Sequence, residues 1–259
     1  MLTKLFFVGA GPGDPELITV KGARLLREAD LIIYAGSLVD RRLVREYAPD
    51  AEIYDSACMT LEETTAVIAE SVLNGKRVVR LHTGDPSIYG AMQEQMAELD
   101  NFGITYAVVP GVTSAFAAAA VLKQELTLPE VSQTVIFTRM EGKTPVPGNE
   151  SLAEIAKIGA TLVIYLSVSM INRVVAELLQ GAYSTETPVA VVYRASWPDE
   201  RIVEGTLANI ANLVKEAEIG KQALILVGDV LRARLEGLKA KSLLYDKKFS
   251  HGCRNGIIT

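Results

Sequence analysis

The chain has 259 residues, of which 49% are hydrophobic, and its formal net charge is −5. This length allows one large domain or two modest ones, and the apolar content is sufficient for buried cores. The acidic balance provides no basic surface for nucleic acid. Because we find no signal-like segment and no apolar run long enough to span a membrane, we expect a cytoplasmic protein that binds neither nucleic acid nor membranes.

The cysteines and histidines disfavour the common metal and disulfide arrangements. Cys58 and Cys253 lie far apart and form no Cys-x-x-Cys pair, so we predict neither a disulfide framework nor a zinc site. Cys58 is expected to be a buried thiol. With two histidines in the chain and no His-Glu-x-x-His spacing, we expect no protein-bound metal.

The first half of the chain alternates short apolar runs with helical patterns. Strands are predicted at residues 4–9, 31–35, 77–81 and 106–109. A helix is predicted at residues 61–73, and Asn74-Gly75 ends it. This alternation predicts an α/β domain with a mostly parallel sheet and helices on its faces.

The second half has a different pattern. A polar stretch from Lys123 to Gln133 marks the predicted boundary between an N-terminal domain of residues 1–123 and a C-terminal domain of residues 124–259. Strands follow at residues 134–137, 161–166, 188–193, 201–205 and 223–227. Two of them flank the turn at residues 196–200 as in a hairpin, so the second α/β domain is predicted to have a mixed sheet.

A glycine-rich segment, VGAGPGDPELIT, follows the first predicted strand, from Val8 to Thr19. A dinucleotide-binding turn needs G-x-G-x-x-G, whereas Asp14 occupies the third glycine position here. Pro12 and Pro15 lack the N–H donors that a phosphate requires, and the Asp14 carboxylate would repel a phosphate. The segment therefore favours an uncharged or cationic ligand.

A second glycine-rich segment, HTGDPSIYG, runs from His82 to Gly90. Two such loops indicate one small-molecule site. Asp85 before Pro86 is typical of a helix cap, and His82 is typical of a structural histidine. Asp14, Asp85 and His82 are also the nearest candidates for a general base, but the residues alone assign that role to none of them.

Several segments of the chain resemble the tetrapyrrole methyltransferases. General features of that family are VGAGPGDPELIT, RLHTGDPSIYGAMQEQ from Arg80 and VVPGVTSAFAAAAVL from Val108. Four others are similar to the members that methylate C11 of precorrin-4: YAGSLV from Tyr34, TRMEGKTPVP from Thr138, VYRASWPDE from Val192 and LLYDKKFSHGCR from Leu243. The resemblance covers nearly the whole chain.

The resemblance implies two α/β domains with the active site in the cleft between them, and a homodimer. It implies S-adenosylmethionine as methyl donor, with S-adenosylhomocysteine as the product. It further implies a C-methyltransferase of cobalamin biosynthesis that converts precorrin-4 or cobalt-precorrin-4 to the precorrin-5 stage. Whether the substrate already carries cobalt stays open, because the same pocket serves both forms.

The resemblance also implies the site residues. The cofactor is expected at Pro12, Thr83, Gly84, Asp85, Ile88, Thr113, Ser114, Leu166, Ala190 and Tyr193. The carboxylate-rich substrate is expected at Arg139, Arg194 and Asp14, because an arginine fork can bind a carboxylate with two hydrogen bonds. Lys143 and Arg201 suit either the substrate or ordinary surface ion pairs, and Trp197 suits either the macrocycle or a domain core.

Three other functions stay open. A sibling methyltransferase would act at another ring carbon or on uroporphyrinogen III. A nucleotide-dependent oxidoreductase would use the first glycine-rich loop, although Pro12 and the glycine spacing disfavour it. A noncatalytic corrinoid-binding protein would bind without turnover. No catalytic side chain is assigned, since an electron-rich ring carbon attacks the sulfonium methyl in line and the protein chiefly aligns the two.

Overall fold

The computed structural model describes residues 3–36, 38–238 and 242–255. These residues form two compact units. The first comprises the described residues up to Ala117 together with Arg194–Glu200, and the second comprises Ala118–Tyr193 and the described residues from Arg201 onward. This division lies a few residues before the predicted one at 123/124, and no sequence pattern indicated that Arg194–Glu200 belongs to the first unit.

The first unit contains a five-stranded parallel sheet with the order β3-β2-β4-β1-β5. Its strands are β1 (Leu5–Gly9), β2 (Leu31–Tyr34), β3 (Glu52–Asp55), β4 (Val78–His82) and β5 (Tyr106–Val109). The helices are α1 (Val20–Arg27), α2 (Arg41–Tyr47), α3 (Leu61–Leu73), α4 (Met92–Asn101) and α5 (Ser114–Val121), which spans the division between the units. The predicted parallel sheet is confirmed.

The helices that follow the adjacent inner strands β1 and β4 lie on opposite faces of this sheet. Helix α1 places Leu26 in a buried cluster with Val8, whereas α4 places Leu99 in a different buried cluster with Phe7. Phe7 and Val8 point to opposite faces because side chains alternate along a strand. Neighbouring parallel strands whose helices diverge in this way leave a crevice at their carboxyl ends, where open α/β sheets bind ligands.

Helix α3 has the predicted bounds, and its ends explain them. Thr60 Oγ1 accepts a hydrogen bond from the Glu63 N–H at 3.2 Å, and Glu63 Oε2 accepts one from the Thr60 N–H at 2.8 Å. This reciprocal capping box satisfies two N–H groups that the helix leaves unpaired. Gly75 follows the helix with φ +89°, the left-handed conformation that commonly ends helices.

The second unit contains a mixed five-stranded sheet with the order β6-β7-β10-β8-β9. Its strands are β6 (Val135–Arg139), β7 (Thr161–Tyr165), β8 (Pro188–Tyr193), β9 (Arg201–Thr206) and β10 (Ala223–Val227), and its helices are α6 (Leu152–Ala156), α7 (Ile171–Leu178), α8 (Ile210–Glu216) and α9 (Ala233–Glu236). Strands β6 and β7 are parallel, whereas the other neighbours are antiparallel. The predicted mixed sheet and the β8–β9 hairpin are confirmed.

Two features of the first unit differ from the sequence predictions. Strand β3 was not predicted, because it is an edge strand with three of its four residues exposed and so lacks an apolar run. Cys58 ends a short 3₁₀ turn directly after this strand, and its thiol is exposed. The prediction of a buried Cys58 was therefore wrong. Across the described ranges, we find no helix with the length and apolar character needed to cross a membrane.

Candidate functional site

The loops after β1, β4 and β5 meet at the carboxyl edge of the parallel sheet. A Cβ added to Gly9 would lie 2.6 Å from both the Gly111 Cα and the Gly84 carbonyl oxygen. A Cβ added to Gly111 would lie 2.1 Å from the same Gly84 oxygen. Side chains do not occur at such distances, so the three backbones approach this closely because residues 9 and 111 are glycines.

Hydrogen bonds fix the three loops to one another. The Gly11 N–H donates to the Gly84 carbonyl at 3.2 Å, and the Gly84 N–H donates to the Gly11 carbonyl at 2.8 Å. Asp85 Oδ2 accepts a hydrogen bond from the Gly111 N–H at 2.8 Å. The first loop is thus joined to the second by a backbone bridge, and the second to the third by a carboxylate.

The structure brings together seven of the ten residues that were predicted to contact the cofactor. They are Pro12 in the first loop, Thr83, Gly84, Asp85 and Ile88 in the second, and Thr113 and Ser114 after β5. A Cβ on Gly84 would lie 3.6 Å from the Thr113 Cα and 3.7 Å from the Ser114 nitrogen. Thr83 is exposed, and its hydroxyl donates to the Leu38 carbonyl at 3.2 Å. Leu38 belongs to the YAGSLV segment, whose Ser37 lies outside the described residues.

Asp85 closes a turn and is not a helix cap, which corrects that prediction. Its Oδ1 accepts hydrogen bonds from the Ser87 N–H at 2.9 Å and from the Ser87 hydroxyl, whereas α4 begins later, at Met92. Burial acts to raise the pKa of Asp85, but the hydrogen bonds from Ser87 and Gly111 outweigh it, so the pKa is lowered. The ionised carboxylate is committed to loop structure, which makes it a weak base.

His82 ends β4 and is buried, with 5% of its surface exposed. Burial, followed by the positive charge of Arg80, lowers its pKa to about 3. An imidazole with such a pKa accepts protons poorly near neutral pH, so the structure disfavours His82 as a general base. Its Nε2 is buried without a hydrogen-bond partner in the described part of the chain.

A buried polar pair supports the end of the second loop. Arg80 Nε donates to Gln95 Oε1 at 2.8 Å, and Gln95 Nε2 donates to the Ala91 carbonyl at 3.1 Å. Ala91 and Tyr89 have φ values of +47° and +53°, which are uncommon for residues with a side chain. The Arg80–Gln95 pair thus anchors a strained segment, and strain of this kind is concentrated at functional sites.

The predicted substrate contacts Asp14 and Arg194 both lie in the first unit. Asp14 Oδ1 accepts a hydrogen bond from the Glu16 N–H at 2.9 Å. Arg194 Nη1 lies 2.5 Å from Asp199 Oδ2, and its guanidinium carbon lies 4.0 Å from the centre of the Trp197 ring. The Asp199 side chain is half exposed, so this ion pair is open to solvent on the carboxylate side.

Three predicted cofactor contacts lie in the second unit. Leu166 follows β7, is 66% exposed and has φ +54°. Ala190 is buried within β8, opposite Leu226. Tyr193 ends β8, and the guanidinium carbon of Arg201 lies 4.7 Å from its ring centre. An exposed leucine with left-handed backbone has no packing reason to be there, which favours Leu166 as a binding residue.

Two arginines of the second unit, Arg139 and Arg201, donate hydrogen bonds to backbone carbonyls. Arg139 donates to the carbonyls of Met140 at 3.4 Å, Thr144 at 3.2 Å and Pro145 at 2.6 Å. The TRMEGKTPVP segment is therefore folded around this guanidinium, which favours a structural role for Arg139. Arg201 Nη1 donates to the Ala217 carbonyl at 2.7 Å. Lys143 is exposed in the same segment as Arg139.

Sequence reasoning missed the roles of Gly9 and Gly111, and it considered Trp197 only for the macrocycle or a domain core. Gly111 carried a usable signal, because Pro110-Gly111 directly follows a strand within a segment that was used only for Thr113 and Ser114. The contact of Trp197 with the first loop carried no signal, since its hydrogen-bond partner Pro12 is 185 residues away in the chain. Contacts of that range are not visible in local sequence patterns.

The three loops suit S-adenosylmethionine. The ionised Asp85 favours a cationic ligand such as a sulfonium or ammonium group. Gly84 has φ +58° and its backbone lies at the centre of the loop crossing, while the exposed Thr83 hydroxyl and the partly buried Ile88 provide polar and apolar contacts. The crossing offers shape and backbone groups, without the run of N–H donors that a pyrophosphate needs.

Comparison with known proteins identifies the family of this chain. The sequence model of the Tetrapyrrole (Corrin/Porphyrin) Methylases matches residues 4–211. A cobalt-precorrin-4 C(11)-methyltransferase from Methanocaldococcus jannaschii is 59% identical over 251 residues, which cover 97% of this chain and 96% of that protein. The solved structure of a cobalt precorrin-4 methyltransferase, a cobalamin biosynthetic enzyme, matches with a TM-score of 0.85 and 48% identity over 88% of this chain and 95% of that one.

A second solved structure concerns the cofactor. A uroporphyrin-III C-methyltransferase from Thermus thermophilus, in complex with S-adenosylhomocysteine, matches with a TM-score of 0.75 and 31% identity. It covers 89% of this chain and 94% of its own. The family match extends over most of the residues of both units, and the loops that cross at Gly84 lie within it. The chain therefore belongs to the tetrapyrrole (corrin/porphyrin) methylases.

Proposed function

We propose that this protein transfers the methyl group of S-adenosylmethionine to C11 of cobalt-precorrin-4 or precorrin-4, in cobalamin biosynthesis. The observation that carries this proposal is the 59% identity to a cobalt-precorrin-4 C(11)-methyltransferase over 97% of the chain. The match extends over 251 residues and covers 96% of that relative. Because the M. jannaschii relative and the solved methyltransferase are both named for the cobalt form, we expect cobalt-precorrin-4 to be the preferred substrate.

Bound S-adenosylmethionine would supply an electrophilic methyl group on a sulfonium. Pro12, Gly84, Asp85 and Thr113 would hold it at the loop crossing. Leu166, Ala190 and Tyr193 of the second unit stay predicted contacts. The chain's own contribution is to orient the donor and keep water out, which suits a reaction in which a ring carbon attacks the methyl directly.

Arg194 would bind a substrate carboxylate in place of Asp199. Asp14 stays a predicted neighbour of the substrate, and Arg139 is a weaker candidate because three carbonyls of its own segment already accept from it. No side chain is assigned as a base. The low pKa of His82 and the lowered pKa of Asp85 both argue against proton abstraction by these groups.

Further parts of the proposal rest on the family resemblance. They are a homodimeric assembly and a cytoplasmic location. Sedimentation of the purified protein at several concentrations measures the first. A monomer at all concentrations would contradict the expected dimer without affecting the proposed reaction.

The proposed reaction is tested by incubating the protein with S-adenosylmethionine and each form of precorrin-4 in parallel. We expect the tetrapyrrole mass to increase by one methyl group, and S-adenosylhomocysteine to accumulate in equal amount. Methylation of uroporphyrinogen III in place of precorrin-4 would identify a sibling enzyme. Binding of both ligands without any transfer would identify a carrier.

A further inference from the structure

The segment Arg194–Glu200, which we term the clasp, binds the first glycine-rich loop through its single tryptophan. Trp197 Nε1 donates a hydrogen bond to the Pro12 carbonyl at 2.9 Å. The clasp also contacts Asp14, two positions after Pro12, whose N–H donates a hydrogen bond to Ser196 Oγ at 3.0 Å. Both contacts lie within the first unit.

Gly13, between these two contacts, lies directly against the indole. A Cβ at this position would lie 2.1 Å from Trp197 Cδ1 and 2.2 Å from its Nε1. No side chain can occupy that position unless the indole moves, since distances below 3.0 Å are not seen for real Cβ atoms. The clasp therefore contacts three consecutive residues of the loop, which specifies the path of the loop far more closely than one hydrogen bond would.

The same indole also contacts Arg194. The guanidinium carbon lies 4.0 Å from the ring centre, a cation–π distance, and Asp199 pairs with the guanidinium from the side. One aromatic ring thus contacts both the loop that borders the proposed cofactor site and the arginine proposed to bind a substrate carboxylate.

The clasp is a strained turn, and hydrogen bonds within the clasp stabilise it. Arg194 and Ser196 have φ values of +48° and +70°, although neither is a glycine. The Ser196 N–H donates to Glu200 Oε2 at 2.6 Å, and the Trp197 N–H donates to the Arg194 carbonyl at 2.9 Å. Trp197 is also only partly buried, so core packing does not explain why a strained turn presents it here.

We propose that Trp197 is a positioning residue of the methyl transfer: its N–H sets the first loop for the cofactor, and its ring holds Arg194 for the substrate. This inference rests on the proposed function, but its first half requires only that the protein bind S-adenosylhomocysteine. The two halves involve different parts of the indole and are separable by substitution.

Trp197→Phe keeps an aromatic face for Arg194 and removes the N–H. We expect it to weaken S-adenosylhomocysteine binding about three- to tenfold, the usual effect of one lost hydrogen bond, with the tetrapyrrole KM changed less than twofold. Trp197→Leu removes the ring as well, so the Kd for S-adenosylhomocysteine and the KM for the tetrapyrrole should both rise. Gly13→Ala should also weaken S-adenosylhomocysteine binding because it displaces the indole from the Pro12 carbonyl. Gly148→Ala is the matched control, since a Cβ there meets nothing within 4 Å.

The measurements are calorimetric titration with S-adenosylhomocysteine, separate KM and kcat values for the two substrates, and the melting temperature of each variant. Trp197 is the only tryptophan in the chain, so its fluorescence should also change when S-adenosylhomocysteine binds to the wild type. Wild-type affinity in both Trp197→Phe and Gly13→Ala would overturn the inference. So would losses in both ligands that simply follow a lowered melting temperature. A wild type that binds S-adenosylhomocysteine but methylates neither form of precorrin-4 would instead overturn the proposed function.

Discussion

At the scale of single residues, the most informative side chain is His82. Its burial at the end of β4, followed by the positive charge of Arg80, keeps the imidazole neutral. The folded pKa of about 3 lies below the ordinary value of 6.5. The unfolded chain therefore binds a proton between these values that the folded chain rejects, and folding stability must decrease as the pH falls through this range.

We predict that His82 alone removes about 1–2 kcal/mol of unfolding free energy between pH 7 and pH 5. His82→Asn should lose that part of the pH dependence, even if the variant is less stable at pH 7. His251→Asn is the control, because His251 is the other histidine and lies near the end of the described chain. Urea unfolding at both pH values measures the difference. An unchanged pH dependence in His82→Asn would show that the buried imidazole is not responsible.

The crossing of the three loops at Gly84 gives a second prediction at this scale. Gly111→Ala places a Cβ 2.1 Å from the Gly84 carbonyl oxygen, so one of the two loops must move. We expect the unfolding free energy to fall by about 1–3 kcal/mol. We also expect S-adenosylhomocysteine to bind more weakly, because the loops that would hold it are displaced. Gly220→Ala, with open space around its added Cβ, should change neither quantity. Normal cofactor affinity in Gly111→Ala would place the cofactor elsewhere.

Arg194 gives the third prediction. Arg194→Ala should weaken tetrapyrrole binding about tenfold or more and S-adenosylhomocysteine binding much less, because a charged hydrogen bond to a carboxylate is lost while the Trp197–Pro12 bond remains. Arg24→Ala is a suitable control, since Arg24 on α1 also forms an ion pair, with Glu28, and lies away from the loop crossing. Titrations with both ligands decide it, and equal losses for the two would count against substrate binding by Arg194.

At the scale of elements, helix α3 shows how local sequence determines a boundary. Its start depends on the Thr60–Glu63 capping box. Thr60→Ala should lower the unfolding free energy by about 1 kcal/mol, whereas Thr60→Ser should retain most of it because the hydroxyl acceptor is kept. Thermal unfolding of the two variants compares them. Equal stability of both variants and the wild type would mean that tertiary packing, rather than the cap, sets the helix start.

The elements that were predicted correctly are those whose signal is local. Helix α3 and strands β8 and β10 have the predicted bounds, since buried apolar runs and caps are visible within a few residues. Strand β3 was not predicted because an exposed edge strand has no apolar run. The exposure of Cys58 was missed because free cysteines are usually buried, whereas this one follows an exposed edge strand.

At the scale of the whole molecule, sequence reasoning predicted two α/β units and two glycine-rich loops that form one small-molecule site. It did not predict the clasp. Residues 194–200 lie between two strands of the second sheet in the chain, yet they belong to the first unit, through contacts with residues more than 180 positions away. Local periodicity carries no information about such contacts, so the support of the first loop by Trp197 required the structure.

The methyl transfer itself is best tested with S-adenosylmethionine carrying a ¹³C-labelled methyl group, supplied together with cobalt-precorrin-4 or precorrin-4. We expect one labelled methyl in the product, bonded to C11, with one equivalent of S-adenosylhomocysteine. A label at another ring carbon would assign the protein to a different step of tetrapyrrole methylation. The absence of label from both tetrapyrroles, in a protein that binds S-adenosylhomocysteine, would show that it is not a precorrin-4 methyltransferase.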